Sequence, residues 1–487
     1  MKTRITYLIA AMFLIASCSD SFVDVDPQFP SSETFFNSEQ DYQNALIGAY
    51  DLLQTTYLNV MLGDIASNNT LAGGESANDT PGIQEIDDMI HTDENQQLRD
   101  IWGWMFAGVN RANFIMEFQD KTDFEGKENV IAQTRFLRAY YYFELVKFFG
   151  DVPLVVDKRV VFGEQFDLVR NPKAEVYAQI EADLIYAEAN MPYVQTDVGR
   201  ATKGSAQALL GKVYIYQEKF SEAATVLEDL INNGPYQLLS DYSTMFENDN
   251  ENNVESVFEV QYTDEEGAGF GCLQCSEGNI AVGFNGIRNY SGPLFESGFS
   301  FNVPTQNAYD AFELGDNRRD IAILNIDAWA AETGATFSTG HEHTGYFNRK
   351  YIARQEGDLN TPDANLTNPN NYRAIRFAEV LLLAAEALNR GGISDSRALE
   401  YLNRVRERAF GNSDSNLNVV GNALTNAIYR ERRVELVGEG HHFFDLVRTG
   451  RAANAIPGFT PGKNELFPIP RIEIELAGNN WEQNPGY

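Results

Sequence analysis

The chain has 487 residues, 70 acidic against 37 basic, and a formal net charge of −33. Such a surface repels nucleic acid and lacks the polybasic patch that holds a protein on an anionic membrane, so nucleic acid is excluded as a partner. With 43 % apolar residues the chain carries enough material for a globular core.

The first residues read as an export signal. Lys2 and Arg4 precede the apolar run Tyr7 to Ala16, too short to span a bilayer core of about 30 Å. The run ends in Ile15-Ala16-Ser17-Cys18, the apolar-small-small-Cys pattern of lipoprotein processing. Residues 1–17 are therefore expected to be a signal peptide and Cys18 the lipidation site, giving a membrane-held protein. Residues 18–30 (CSDSFVDVDPQFP) read as an acidic, flexible tether, and 31–487 as the folded part.

From Glu39 onward helical period dominates. Leu46, Tyr50 and Leu53 share a face, as do Trp102, Phe106, Val109 and Ala112, which marks Trp102 as core; Trp104 lies at the same helix start. Gln133 to Phe149 is helical and stops at Gly150-Asp151 with Pro153 beyond. Ala201 to Tyr236 fits a tetratricopeptide hairpin, with Leu210, Gly211 and Tyr214 on one helix, Ala223 and Leu227 on the next, and Pro235 at the stop. Tyr372 to Phe410 is a second hairpin with a longer turn, and Asn426 to Leu446 a further helical stretch. Between them, Tyr262–Phe301 and Ile326–Gly345 are rich in Gly, Ser, Asn and aromatics without helical period. The expectation is a mostly α fold: a helical-hairpin scaffold over about 39–236 and 372–450, with a loop-rich, irregular ligand-binding insert over about 240–371.

Chemistry-bearing motifs are few. Cys272 and Cys275 form a CxxC in Gly-rich sequence, and a local disulfide is the default in an exported chain. A zinc site would need two further ligands. His341 and His343 would point the same way on a strand, but the pair alone is weak evidence for a metal, and sugar hydrogen bonding fits it equally. Glu435, Glu439, His441, His442 and Asp445 crowd RRVELVGEGHHFFDLVR, yet Arg432, Arg433 and Arg448 can neutralise them in buried pairs, so this run reads as structure. HExxH, P-loop and nucleophile-elbow motifs do not occur, and Gly267-x-Gly269-x-Gly271 lacks the context of a dinucleotide site. Neither cofactor nor enzymatic activity is expected.

DYQNALIGAYDLL, LRDIWGWMFAGVNRANFIME, RFLRAYYYFELVKFFGDVPLV, IRFAEVLLLAAEALN, YRERRVELVGEGHHFFDLVRTG and the closing LFPIPRIEIELAGNNWEQNPGY together resemble the SusD/RagB-like outer-membrane nutrient-binding lipoproteins of Bacteroidetes. The resemblance covers nearly the whole mature chain. It implies four helix-hairpin repeats, a loop-rich part carrying the ligand contacts, and a lipid anchor on the outer face of the outer membrane. It further implies an oligosaccharide ligand and a partner TonB-dependent, SusC-like transporter for which the protein is a lid. Sugar rings pack C–H faces on aromatics and need hydrogen-bond partners for their hydroxyls. The ligand-binding candidates are Trp329, for which core packing is an equal reading, then Tyr346, Tyr290 and Phe284 as platforms and Arg288, Asn285 and His343 as polar edges. Asn68, Asn69 and Asp79 join them from an early loop that contacts ligand in the family. Trp481, in the closing segment, reads as structural. A neutral glucan of the laminarin type is the expected ligand. The alternatives are a uronic-acid polymer met by Arg288 and Arg349, a peptide or glycoprotein, or a pure protein–protein repeat module.

Overall fold

The computed structural model describes residues 35–161, 163–265, 270–355 and 365–487. The signal peptide, Cys18 and the tether therefore lie outside the described residues, as do Gly267 and Gly269. The scaffold begins with α1 (Glu39–Asp51), α2 (Tyr57–Ile65), α3 (Pro81–Asp87), α4 (Gln96–Glu117) and α5 (Lys127–Phe149). It continues through α6 (Lys173–Asn190), α7 (Lys203–Tyr216) and α8 (Phe220–Asn233). After the insert, which contains α9 (Ala281–Asn285) and α10 (Ile326–Thr333), come α11 (Phe377–Arg390), α12 (Asp395–Phe410), α13 (Gly421–Glu435), α14 (His442–Arg448) and α15 (Arg471–Leu476).

Local chemistry sets the helix starts. Ser38 and Asp41 form a capping box on α1, Asn95 caps α4, Thr202 and Ser205 box α7, and Ser394 caps α12. Successive helices from α4 to α8 pack on one another, and α8 packs on α11, so the scaffold is continuous across the insert. Gly211 shows why the hairpin needs a small residue: a Cβ there would lie 2.4 Å from the Leu227 side chain.

The insert is tied by short two-stranded sheets. β1 (Thr70–Ala72), β2 (Ser256–Val260), β3 (Ile287–Arg288), β4 (Ser297–Gly298), β5 (Asn302–Pro304), β6 (Ile323–Asn325), β7 (Tyr346–Asn348) and β8 (Tyr372–Arg376) pair as β1–β5, β2–β8 and β6–β7, all antiparallel, and β3–β4, parallel. Because β2 pairs with β8, the insert leaves and rejoins the scaffold at one place. It has a small apolar core of its own, built on Ile287, Phe295, Leu324, Ile326 and Phe347.

Buried ions weld the insert to the scaffold. Arg376, at the end of β8, meets Glu435 (2.7 Å), Glu439 (2.7 Å) and Glu255 (3.1 Å) with every side chain essentially inaccessible. Arg318 of the insert meets Asp316, Glu431 and Glu435 at 2.6–2.8 Å, Lys350 meets Glu439 at 2.6 Å, and Arg408 bridges Glu255 and Glu435. Burial pushes the Glu435 carboxyl up, but Arg408, Arg376 and Arg318 outweigh it and hold it well below the ordinary carboxylate range. Arg432 and Arg448 hold Asp445, and Arg448 also holds Glu386. Arg432 and Arg448 thus neutralise acids of the crowded RRVELVGEGHHFFDLVR run as expected, whereas Arg433 pairs with no carboxylate and instead donates to Asn69 and Asn307. Removing one partner strands the others. Arg376→Met should cost about 3–5 kcal/mol in urea unfolding. Arg111→Met, which breaks an exposed pair with Asp51, should cost less than about 1 kcal/mol.

Candidate ligand-binding face

Three loops close into one face beside the insert's small core. The β1–β5 pair extends past Ala72, with Gly73 and Gly74 N–H groups donating to the carbonyls of Phe301 (3.0 Å) and Ser300 (2.8 Å). Gly74 sits at φ +114°, and a Cβ there would lie 3.0 Å from the Phe301 ring, so the approach needs glycine. Arg288, at the end of β3, donates to the Phe299 carbonyl (2.7 Å) and lies 3.5 Å from Asp79. Asp79 in turn accepts from the Glu75 N–H (2.8 Å). The third loop joins through Ser338 N–H to the Arg288 carbonyl (2.9 Å), Asn289 Nδ2 to Ser338 Oγ (3.2 Å) and His341 N–H to the Gly74 carbonyl (2.9 Å).

An aromatic margin borders this polar centre. Trp329 is half-buried; its Nε1 donates to the Tyr290 hydroxyl (2.8 Å), which donates to the Pro293 carbonyl (2.8 Å). The Trp329 ring lies 5.5 Å from Phe295. Phe337 and His343 pair at 5.7 Å, both half-exposed. On the other side Phe270 is 63 % exposed and packs edge-on against Phe299 at 5.4 Å.

The geometry sorts the candidates named from sequence. Arg288, Asp79, Trp329, Tyr290 and His343 come together, although Tyr290 is buried and acts through Trp329. Trp329 lies on α10, not in a loop: Asn325 caps that helix and Gly334, at φ +76°, ends it. Phe284 is corrected to core, buried among Tyr57, Phe299 and Phe301. Asn285 is buried, holding the Ala281 carbonyl and accepting from Asn302. Tyr346 is buried too, stacked on Tyr309 at 4.5 Å with its hydroxyl on Gln306. Asn69 is fully buried and accepts from Arg433 (2.8 Å), while Asn68 meets His442 (3.0 Å). These two asparagines fasten the early loop to the scaffold. His341 and His343 are not on a strand, because Glu342 between them has φ +50°. Among the described residues no group of three or more His, Cys, Asp or Glu is placed to hold a metal ion. The Cys272 and Cys275 sulfurs are bonded. Sequence reasoning did not name Phe270, Phe299, Asn289 and Ser338 as members of the face, while His341 entered only through its pairing with His343. A Phe flanked by Gly immediately before the CxxC was the available signal for Phe270.

The two arginines of this region are held differently. Arg288 is paired with Asp79, and Arg349 donates to the Asp320 carbonyl (2.8 Å) with its guanidinium 5.8 Å from the Trp329 ring. Beneath the early loop, burial pushes the Asp87 carboxyl up to about 7, against the Ala72 N–H that it accepts and with help from Asp88 and Glu342.

Comparison with known proteins agrees with this architecture. Residues 324–487 match the model of the SusD family, and residues 21–215 match a second model described as starch-binding associating with outer membrane. A solved laminarin-binding SusD-like protein is 34 % identical, covering 93 % of this chain and 100 % of its own, with a TM-score of 0.83. This chain belongs to the SusD/RagB-like family. The surface glycan-binding protein A of Bacteroides thetaiotaomicron, solved in complex with laminarihexaose, is 26 % identical over 92 % of this SusD-family chain and 99 % of its own, with a TM-score of 0.81. SusD-like protein P2 of Formosa agariphila is 29 % identical over the full length of both chains. The tetratricopeptide-like scaffold and the mostly α class read from sequence hold, and the solved relatives whose names state a role are binding proteins.

The raised Asp87 carboxyl has a defined pH signature. An ordinary carboxyl titrates near pH 4, so a folded value of about 7 means that the folded state holds this proton more tightly. The stability it adds is present below about pH 4 and is lost as pH rises through 7. The stability of the parent chain relative to Asp87→Asn should therefore fall between pH 4 and 7.5 in paired thermal melts.

Proposed function

We propose that this chain is a cell-surface glycan-binding lipoprotein, anchored through Cys18 to the outer membrane. It captures oligosaccharides and passes them to a TonB-dependent transporter of the SusC-like class. The observation that carries the reading is the face itself: a matched Arg288–Asp79 pair and the Asn289, Ser338 and His341 groups, bordered by the exposed Phe270 and by the half-buried Trp329, Phe337 and His343. Aromatic faces take the C–H surface of a pyranose, and the polar centre takes its hydroxyls. The family model's description supports the outer-membrane location.

The ligand proposed is a neutral β-glucan of the laminarin type. The named ligands of the two solved relatives support it. So does the chemistry: the arginine of the polar centre, Arg288, is already paired with Asp79, which leaves little positive charge there for successive carboxylates. That favours the glucan over a uronic-acid polymer.

Titration calorimetry of the mature domain with laminarihexaose, an alginate hexasaccharide and a mixed peptide pool tests the reading. Heat is expected from laminarihexaose alone. Phe270→Ala should raise its Kd at least tenfold while shifting the melting temperature little, since that side chain is 63 % exposed. Silence from laminarihexaose, or heat from the alginate or peptides instead, contradicts the reading.

A further inference from the structure

An apolar groove of about 300 Å³, sharing no residue with that face, runs along α4. Trp102, Phe106 and Val109 form its floor, with Tyr142, Val155 and Trp481 among its walls. The Trp102 and Trp481 rings lie 6.1 Å apart, and Trp481 Nε1 donates to the Leu168 carbonyl (2.8 Å). Gly103 at its edge is exposed.

The described chain begins at one end of this groove. Phe35 stacks on Phe114 of the same helix at 6.0 Å, and its carbonyl accepts from Lys121 (2.6 Å). Arg159 lies over Phe114 at 4.2 Å, and the next residue, Val160, lines the groove and bonds Asn110 (2.7 Å). Preceding Phe35 is Pro27-Gln28-Phe29-Pro30, a PxxP stretch with an aromatic inside it. Such sequences favour the extended polyproline conformation and dock in aromatic-lined grooves. The lengths agree. Trp102 to Phe114 is about 18 Å along a helix, and the six steps from Phe29 to Phe35 span about 19 Å at about 3.1 Å each. Beyond Pro27 lie Asp26 and Asp24; Arg99 is exposed in the first turn of α4, beside Glu473 of the groove wall, whose carboxyl is pushed up by burial.

We propose that this chain's own Pro27–Pro30 stretch docks in the groove, with Phe29 against Trp102. The tether is then two parts: a docked stretch that belongs to the folded domain, and Cys18 to Asp26, nine residues that reach about 30 Å when extended. With the anchor at Cys18, as in the proposed function, the face bearing α4 and α15 is held toward the membrane. The docking itself does not depend on that anchor.

Disulfide trapping tests it in the mature chain carrying Cys18→Ser. Phe29→Cys is paired with Gly103→Cys, where a side chain meets no other atom within 4 Å, or with Asp123→Cys. Asp123 is exposed and adjacent to Thr122, whose hydroxyl donates to the Phe36 carbonyl (2.7 Å). An undocked tether reaches both positions. The intramolecular bond is expected to form at least tenfold faster with Gly103→Cys. Equal rates, faster bonding at Asp123→Cys, or bonding of Gly103→Cys between two copies would overturn the proposal. A second readout needs no cysteine. Two of the four tryptophans line the groove, so Phe29→Asp should shift tryptophan emission to longer wavelength with the melting temperature of the domain retained. An unchanged spectrum contradicts docking.

Discussion

The structure depends on a buried mesh of guanidinium and carboxylate groups centred on Glu435. Arg318, Arg376 and Arg408 converge on that one side chain from the insert, the end of β8 and α12. Burying these charges singly would be prohibitive, and burying them together is tolerable because each finds several partners at hydrogen-bonding distance. The consequence is positional. Apolar packing tolerates sliding, whereas bidentate ion pairs do not, so the insert is held in one orientation on the helical scaffold. Lys350 extends the mesh through Glu439, with burial lowering its ammonium to about 8 against the pull of that carboxylate.

That rigidity matters because the ligand face is assembled from loops. None of the segments 73–79, 288–301 and 336–343 is stabilised by a long sheet or helix. Each is held to the others by between three and five backbone hydrogen bonds. A loop face on a fixed base loses less ordering entropy on binding than one that must first assemble. In the proposed role, affinity for a single sugar chain need not be high, because a binder tethered beside a transporter would work through local concentration.

The scaffold was legible in the sequence because helical period, caps and packing glycines are local signals. Gly211, Trp102 and the Leu210–Leu227 spacing each report a helix contact directly. The structural role of the HHFFD run was legible too, since arginines alternate with the acids they neutralise. The face was only half legible. Within Gly- and Asn-rich segments the side-chain period is broken every few residues, so exposure cannot be inferred from spacing. Phe284 and Phe299 look alike in sequence, yet one is core and the other borders the surface. Asn285 and Asn289 are four residues apart, one bonded beneath the face and the other on it. Trp329 escaped a clean assignment for a physical reason: one part of its indole packs on Phe295 and Tyr290 while the remainder stays accessible, so core packing and ligand contact are both open to it.

The central claim is that the Arg288–Asp79 centre and its aromatic margins form the glycan site, on an insert that the ion mesh holds in place. A crystal structure of the mature domain with bound laminarihexaose tests this most directly. The account predicts sugar rings stacked on Phe270 or Trp329 with hydroxyls on Arg288 and Asp79, and the Glu435 mesh unchanged from the unliganded state. Sugar bound on the helical scaffold away from these loops, or an insert displaced with its ion pairs broken, would contradict it.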